Sequence, residues 1–111
     1  MNKYTAELLK LIQENPDLPI VPMVDTEVVA GDEYGRWIGE FGKAEVREYA
    51  IDEWYGDGLV RFRDDSGAEE SLIEGIAEVK YDGTEADYKK AKIEAEAIWT
   101  KAIIVNIDLP T

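Results

Sequence analysis

Between Lys101 and Asp108 the chain reads KAIIVNID, and Ile103 to Ile107 is an almost unbroken apolar run. An amphipathic helix or a half-exposed strand would leave one side of such a run in water. Apolar character on both faces suits a strand with neighbours on each side and a helical layer over it. The fold is therefore expected to be arranged around this interior strand, buried more fully than the strand expected at Arg36 to Phe41. A length of 111 residues points to one domain spanning residues 1–111. With 45% hydrophobic and 10% aromatic residues, it can fill one modest core.

Ahead of that run, Lys3 to Glu14 has helical spacing, with Thr5 as N-cap and Tyr4, Leu8, Leu11 and Ile12 on one side. Pro16 ends it, since the residue before a proline is pushed out of the helical region. Pro19 and Pro22 sit among β-branched neighbours, and proline lacks a ladder donor, so DLPIVPMVD is an edge strand or an extended lead-in; Glu27 to Ala30 continues it. Arg36 to Phe41, Ala44 to Trp54 and Leu59 to Arg63 then read as a meander, turned at Gly42-Lys43 and at Gly56-Asp57-Gly58. Its middle strand places Val46 with Tyr49 and Ile51 on one face only if Arg47-Glu48 holds a bulge. Trp37, Phe41, Tyr49 and Phe62 are the simplest core rings.

Ser66 and Glu69 have capping-box spacing ahead of a helix carrying Leu72, Ile73, Ile76 and Val79, stopped at Asp82-Gly83. Thr84 and Asp87 repeat the cap signal before the stripe Tyr88, Ala91, Ala95, Ile98, Trp99 and Ala102. The expected class is α+β: an antiparallel sheet of about four or five strands, with an N-terminal helix and two helices of the C-terminal half packed on it.

The formal charge of −13 lies in one region. From Asp25 to Asp87 there are 19 acids against six bases, while the two flanks cancel. Such a surface repels phosphates, so neither direct nucleic-acid binding nor an acidic membrane surface is expected; a basic protein partner is. The opening MNKYTAELLKLIQENP is no signal peptide and no run is long enough to span a membrane, which points to the cytoplasm. The oligomeric state is open.

With no histidine and no cysteine, zinc sites, thiolate chemistry and Ser/His/Asp triads are excluded. Gly35, Gly39 and Gly42 do not open a helix after a strand, so they form no dinucleotide fingerprint. Asp52 to Gly58 is acidic, but Trp54 and Gly56 stand where calcium ligands are needed. No cofactor and no catalytic residue is expected, and any calcium or zinc binding should be no tighter than about millimolar. Paired carboxylates leave a small carboxylate hydrolase as an enzyme-class alternative.

One arrangement is sharper. Glu70, Glu74, Glu78 and Asp82 are spaced four apart, a single ridge on a regular helix, opposite Leu72, Ile76 and Val79. The plain reading is a solvated face. The functional reading is a row of carboxylates that imitates nucleic-acid phosphates and binds a partner. On that reading, reversing Glu74 and Glu78 to Lys leaves the fold intact and relieves repulsion, with Glu94 and Glu96 as inert controls. Trp54 and Tyr55 are either core rings or an exposed binding anchor.

At ENPDLPIVPMVDTEVV, GRWIGEFGKAEVREYAI and KAIIVNIDLP the chain resembles a family of small acidic proteins encoded by phages and prophages of Gram-positive bacteria. The resemblance runs over most of the length and carries no catalytic motif. It implies a phage gene product acting in the bacterial host. By analogy with other proteins of that size and charge, the expected function is inhibition of a host nucleic-acid-handling defence system, of the anti-CRISPR or anti-restriction type, by nucleic-acid mimicry. The alternative is a phage accessory or assembly protein that binds another protein through a sheet edge.

Overall fold

The computed structural model describes residues 2–24, 36 and 38–109. Its elements are α1 (Lys3–Glu14), β1 (Ile20–Val24), β2 (Glu40–Asp52), β3 (Leu59–Phe62), α2 (Ala68–Gly75, continued by a π-helical turn Ile76–Lys80), α3 (Glu85–Ile98) and β4 (Thr100–Asp108). The class is α+β, and the described residues form a four-stranded sheet in the order β1-β4-β2-β3. The sheet is mixed, not antiparallel throughout: β1 runs parallel to β4, from Ile20 beside Ile103 to Val24 beside Ile107. No hairpin joins these two strands, so no tight turn dictates their direction. Two compact units are distinguished, the described residues of 1–46 with 102–111, and residues 47–101.

In the first unit α1 starts where expected, but its cap is Asn2, whose Oδ1 accepts from the Thr5 N–H at 2.9 Å. Thr5 is the donor to the cap, one turn inside, and not the cap itself. At the other end Asn15 donates to the Leu11 carbonyl from both its main chain and its side chain, closing the helix ahead of Pro16. Ala102, Ile103, Ile104 and Val105 of β4 are buried, and β4 lies between β1 and β2. The apolar run is thus the interior strand its composition demands. By contrast Phe41 is half exposed and Ile38 is 81% exposed. Phe41 is therefore no core ring; Trp37 and the Glu27–Ala30 stretch lie outside the described residues.

Gly42-Lys43 makes no turn, because β2 runs through it without interruption. Gly42 is buried in the strand, and a Cβ there would run into the Asp108 carboxylate and lie 3.3 Å from the Asn106 carbonyl. The glycine permits a close approach, a role its neighbours in sequence do not distinguish from a turn. The bulge is unnecessary too. Gly42, Ala44, Ala50 and Asp52 are all buried and all even-numbered, so the parity of the buried positions is the same before and after the half-buried stretch 45–49, and Phe41 and Ile51 are exposed.

The second unit holds the core cluster of Ala50, Leu72, Ile76, Ala77, Ala91 and Ala95, bordered by Trp54, Ile73, Tyr81, Tyr88, Ile98 and Trp99. β3 pairs antiparallel with β2, Tyr49 beside Phe62 and Asp52 beside Leu59. The turn between them has Asp57 and Gly58 both at positive φ (49° and 89°), with Leu59 N–H bonded to the Gly56 carbonyl. α3 opens on the capping box expected from the sequence, Thr84 and Asp87 bonding each other's main-chain N–H. α2 does not. Its N-cap is Gly67 at φ 77°, with no side-chain bond from Ser66.

Candidate protein-binding surface

The second half of α2 departs from α geometry, and this rearranges the acidic ridge. Tyr81 N–H reaches back five residues to the Ile76 carbonyl at 3.3 Å, and Gly83 N–H caps the Ala77 carbonyl at 2.9 Å. A π turn accommodates an extra residue, so the residues beyond it are displaced by about 100° around the axis relative to an α-helix. Val79, expected inward, is 53% exposed, and Tyr81 packs on the core in its place. Asp82 lies beyond the helix end, where its N–H donates to the Asp87 carboxylate. The four acids are therefore not one helical ridge. Glu70 and Glu74 share the α-helical part and are exposed; Glu78 stands on the π turn.

Glu78 is not bare. Its two carboxylate oxygens accept from the hydroxyls of Tyr55 and Tyr88. These two bonds hold the Glu78 carboxyl below its ordinary value. In return both phenols are pushed up to about 12, first by the bond to Glu78, then by partial desolvation, then by the charges of Glu78 and Glu74. Near neutral pH the tyrosines are donors and Glu78 is an anion. Charge reversal at Glu78 would break both bonds, so it would not leave the structure untouched as a bare ridge position would. Glu94 and Glu96 are no inert controls either: Glu94 accepts from Tyr81 and from Lys80 at 3.0 Å, and Glu96 from Arg63 at 2.6 Å.

Tyr55 reaches Glu78 because of a buried carboxylate that the sequence did not mark as a site residue. Asp52, fully buried, accepts the N–H groups of Trp54 and Tyr55 on Oδ1, each at 3.0 Å, and the Arg61 Nε–H on Oδ2 at 2.6 Å. Burial alone would raise its pKa; the Arg61 bond and the N–H groups of Gly56, Trp54 and Tyr55 outweigh that and lower it. An aspartate bonding its own main chain two and three residues on, ahead of a glycine-rich turn, is a readable local signal. The adjacent aromatic pair divides its roles. Trp54 packs against the core, and Tyr55 is 47% exposed. Both lie over Gly75, where a Cβ would sit 3.1 Å from Trp54 Cβ and 3.4 Å from Tyr55 N.

Of the six candidate residues, the structure thus gathers Glu74, Glu78, Trp54 and Tyr55 on and beside α2, keeps Glu70 on the same helix, and sets Asp82 apart in the turn beyond it. Among the described residues Glu70 and Glu74 face no cation within the unit, although cations are engaged elsewhere in it. Arg47 bonds Asp64 and Asp65, Arg61 bonds Asp52, and Arg63 bonds Glu48, Glu69 and Glu96. Those last three acids, Glu69 first, hold the Arg63 guanidinium protonated beyond its ordinary range. Among the described residues no three carboxylates converge to hold a metal ion, and no helix is long and apolar enough to cross a membrane. The chain matches no protein-family pattern, no curated protein and no solved structure.

Proposed function

We propose that the chain is a protein-binding inhibitor whose acidic α2 surface occupies the basic nucleic-acid groove of another protein and excludes the natural substrate. The observation that carries this reading is that Glu70 and Glu74 are exposed on α2 without an ion-pair partner among the described residues, while Glu69 of the same helix is paired with Arg63, and that Glu74 lies near enough to the exposed Tyr55 for its charge to act on that phenol. Exposed carboxylates supply long-range attraction, and an exposed aromatic ring supplies a contact at the rim. The resemblance to small acidic phage proteins supports a bacterial host as the setting and a defence effector, of CRISPR or restriction type, as the target. In this reading the chain acts by occupancy and not as an enzyme.

The test compares Glu70→Lys/Glu74→Lys with Asp17→Lys/Glu40→Lys, which changes net charge equally at exposed acids elsewhere. After a pull-down from the bacterial host identifies the partner, the α2 variant should bind it about tenfold or more weakly and the control within about twofold. Parent affinity should also fall steeply between low and physiological salt. Equal binding by both variants removes mimicry. It would leave ahead a contact through the edge strand β3, where Leu59 and Val60 are substantially exposed.

A further inference from the structure

Beside Trp54, on the β2 side, the second unit has an open cavity of about 340 Å³ lined by Tyr49, Ile51, Glu53, Trp54, Ile98 and Thr100. Its size is at the low end of small-ligand sites, roughly 300 Å³ and upward. The lining combines two aromatic rings, two branched aliphatic chains and a single charged group. That group, Glu53, is exposed and has no ion-pair partner among the described residues. An anion would meet this carboxylate unopposed, and a neutral apolar ligand would leave it unused. A cation with a flat, weakly hydrated head and an aliphatic stem uses all of it: ring faces for the head, Glu53 for the charge, Ile51 and Ile98 for the stem.

We propose that this cavity binds an arginine side chain of the basic partner, the guanidinium resting between Trp54 and Tyr49 with Glu53 as counter-ion. The assignment rests on the reading of the chain as a binder of basic proteins, and it adds an anchoring residue type to that reading. Guanidinium is favoured over ammonium because it is planar, stacks on aromatic faces and sheds water more readily. The chain already uses this pairing internally, with the Arg47 guanidinium 3.6 Å from the centre of the Phe62 ring. Positioning is provided by Asp52, whose bond to the Trp54 N–H fixes the main chain on which Glu53 and Trp54 stand.

The experiment uses the whole chain and no partner, so its result is independent of the α2 variants. Nα-acetyl-arginine N-methylamide is titrated while the Trp54 indole and the amides of Glu53 and Thr100 are followed by NMR. Saturable shifts at these groups with a millimolar dissociation constant are expected. The neutral citrulline analogue, and the arginine probe on Glu53→Gln, should each bind about fivefold or more weakly. Glu53 is exposed, so that variant should fold as the parent does. Absence of saturable shifts below about 50 mM, equal binding of citrulline, or preference for the lysine analogue would each overturn the assignment. Arginine binding with unchanged partner affinity in the α2 variant would leave the cavity standing and remove the proposed function; the reverse pattern would do the opposite.

Discussion

Two tyrosines donating to one carboxylate give Glu78 a titration signature that a solvated acid lacks. Each phenol is favoured in its neutral form, so the stability it contributes is full below the ordinary value of 10.0 and is lost as pH rises through about 12. The carboxylate works in the other direction: its contribution is present above the ordinary carboxylate range and fades as pH falls below it. In Glu78→Gln the charge is gone, and Tyr55 and Tyr88 should both titrate lower than in the parent, back toward 10.0, read from the ring carbons by NMR; partial desolvation and the Glu74 charge remain. Unchanged titration of both rings would mean that the two bonds do not persist in solution. Single residues were unevenly legible in the sequence. Thr84 with Asp87 announced itself because both partners of a cap lie within one turn. Tyr55 and Tyr88 meeting at Glu78 did not, since no local spacing connects a hairpin turn with two helices.

Among the elements, α2 shows where periodicity misleads. Residues four apart form a ridge only while the helix keeps its pitch, and the π turn from Ile76 ends that regularity. Val79 and Asp82 depart from their expected places at and beyond this turn. The strand β2 misleads differently. Hydrophobic patterning expects large apolar residues inside, yet it is Ala50 that is buried in the core cluster with Leu72, Ile76, Ala91 and Ala95 of the helices, while its neighbour Ile51 is exposed. Gly75 belongs to the same close packing. Replacing a helical glycine by alanine ordinarily gains up to about 1 kcal/mol. Here the new methyl would press on Trp54 and the Tyr55 main chain, and overpacking costs typically about 1–3 kcal/mol. Gly75→Ala should therefore be destabilising by about 1 kcal/mol in chemical denaturation. A stabilised variant would show that the Trp54–Tyr55 segment yields freely.

At the scale of the molecule, the class and the central strand were legible because they follow from composition: a run apolar on both faces leaves few places to put it. Strand direction was not, as nothing local ties β1 to β4. That pairing has a consequence in time. Ile20 lies beside Ile103, so β1 leaves the ribosome far ahead of its partner, by an interval on the order of ten seconds at ordinary elongation rates. β2 and β3, joined by a short turn, can pair as soon as both exist, in microseconds. Refolding should show the same order through loop-closure entropy alone. Pulse-labelled hydrogen exchange is expected to protect Ala50 and Arg61 before Ile103 and Val105, and simultaneous protection would mean that the sheet assembles in one step. Until then Ile20 to Val24 is an extended apolar segment with nothing to pair with. Its two flanking or internal prolines, Pro19 and Pro22, each withhold a main-chain donor, so a growing chain carries this strand in a form that is slow to recruit a neighbour's.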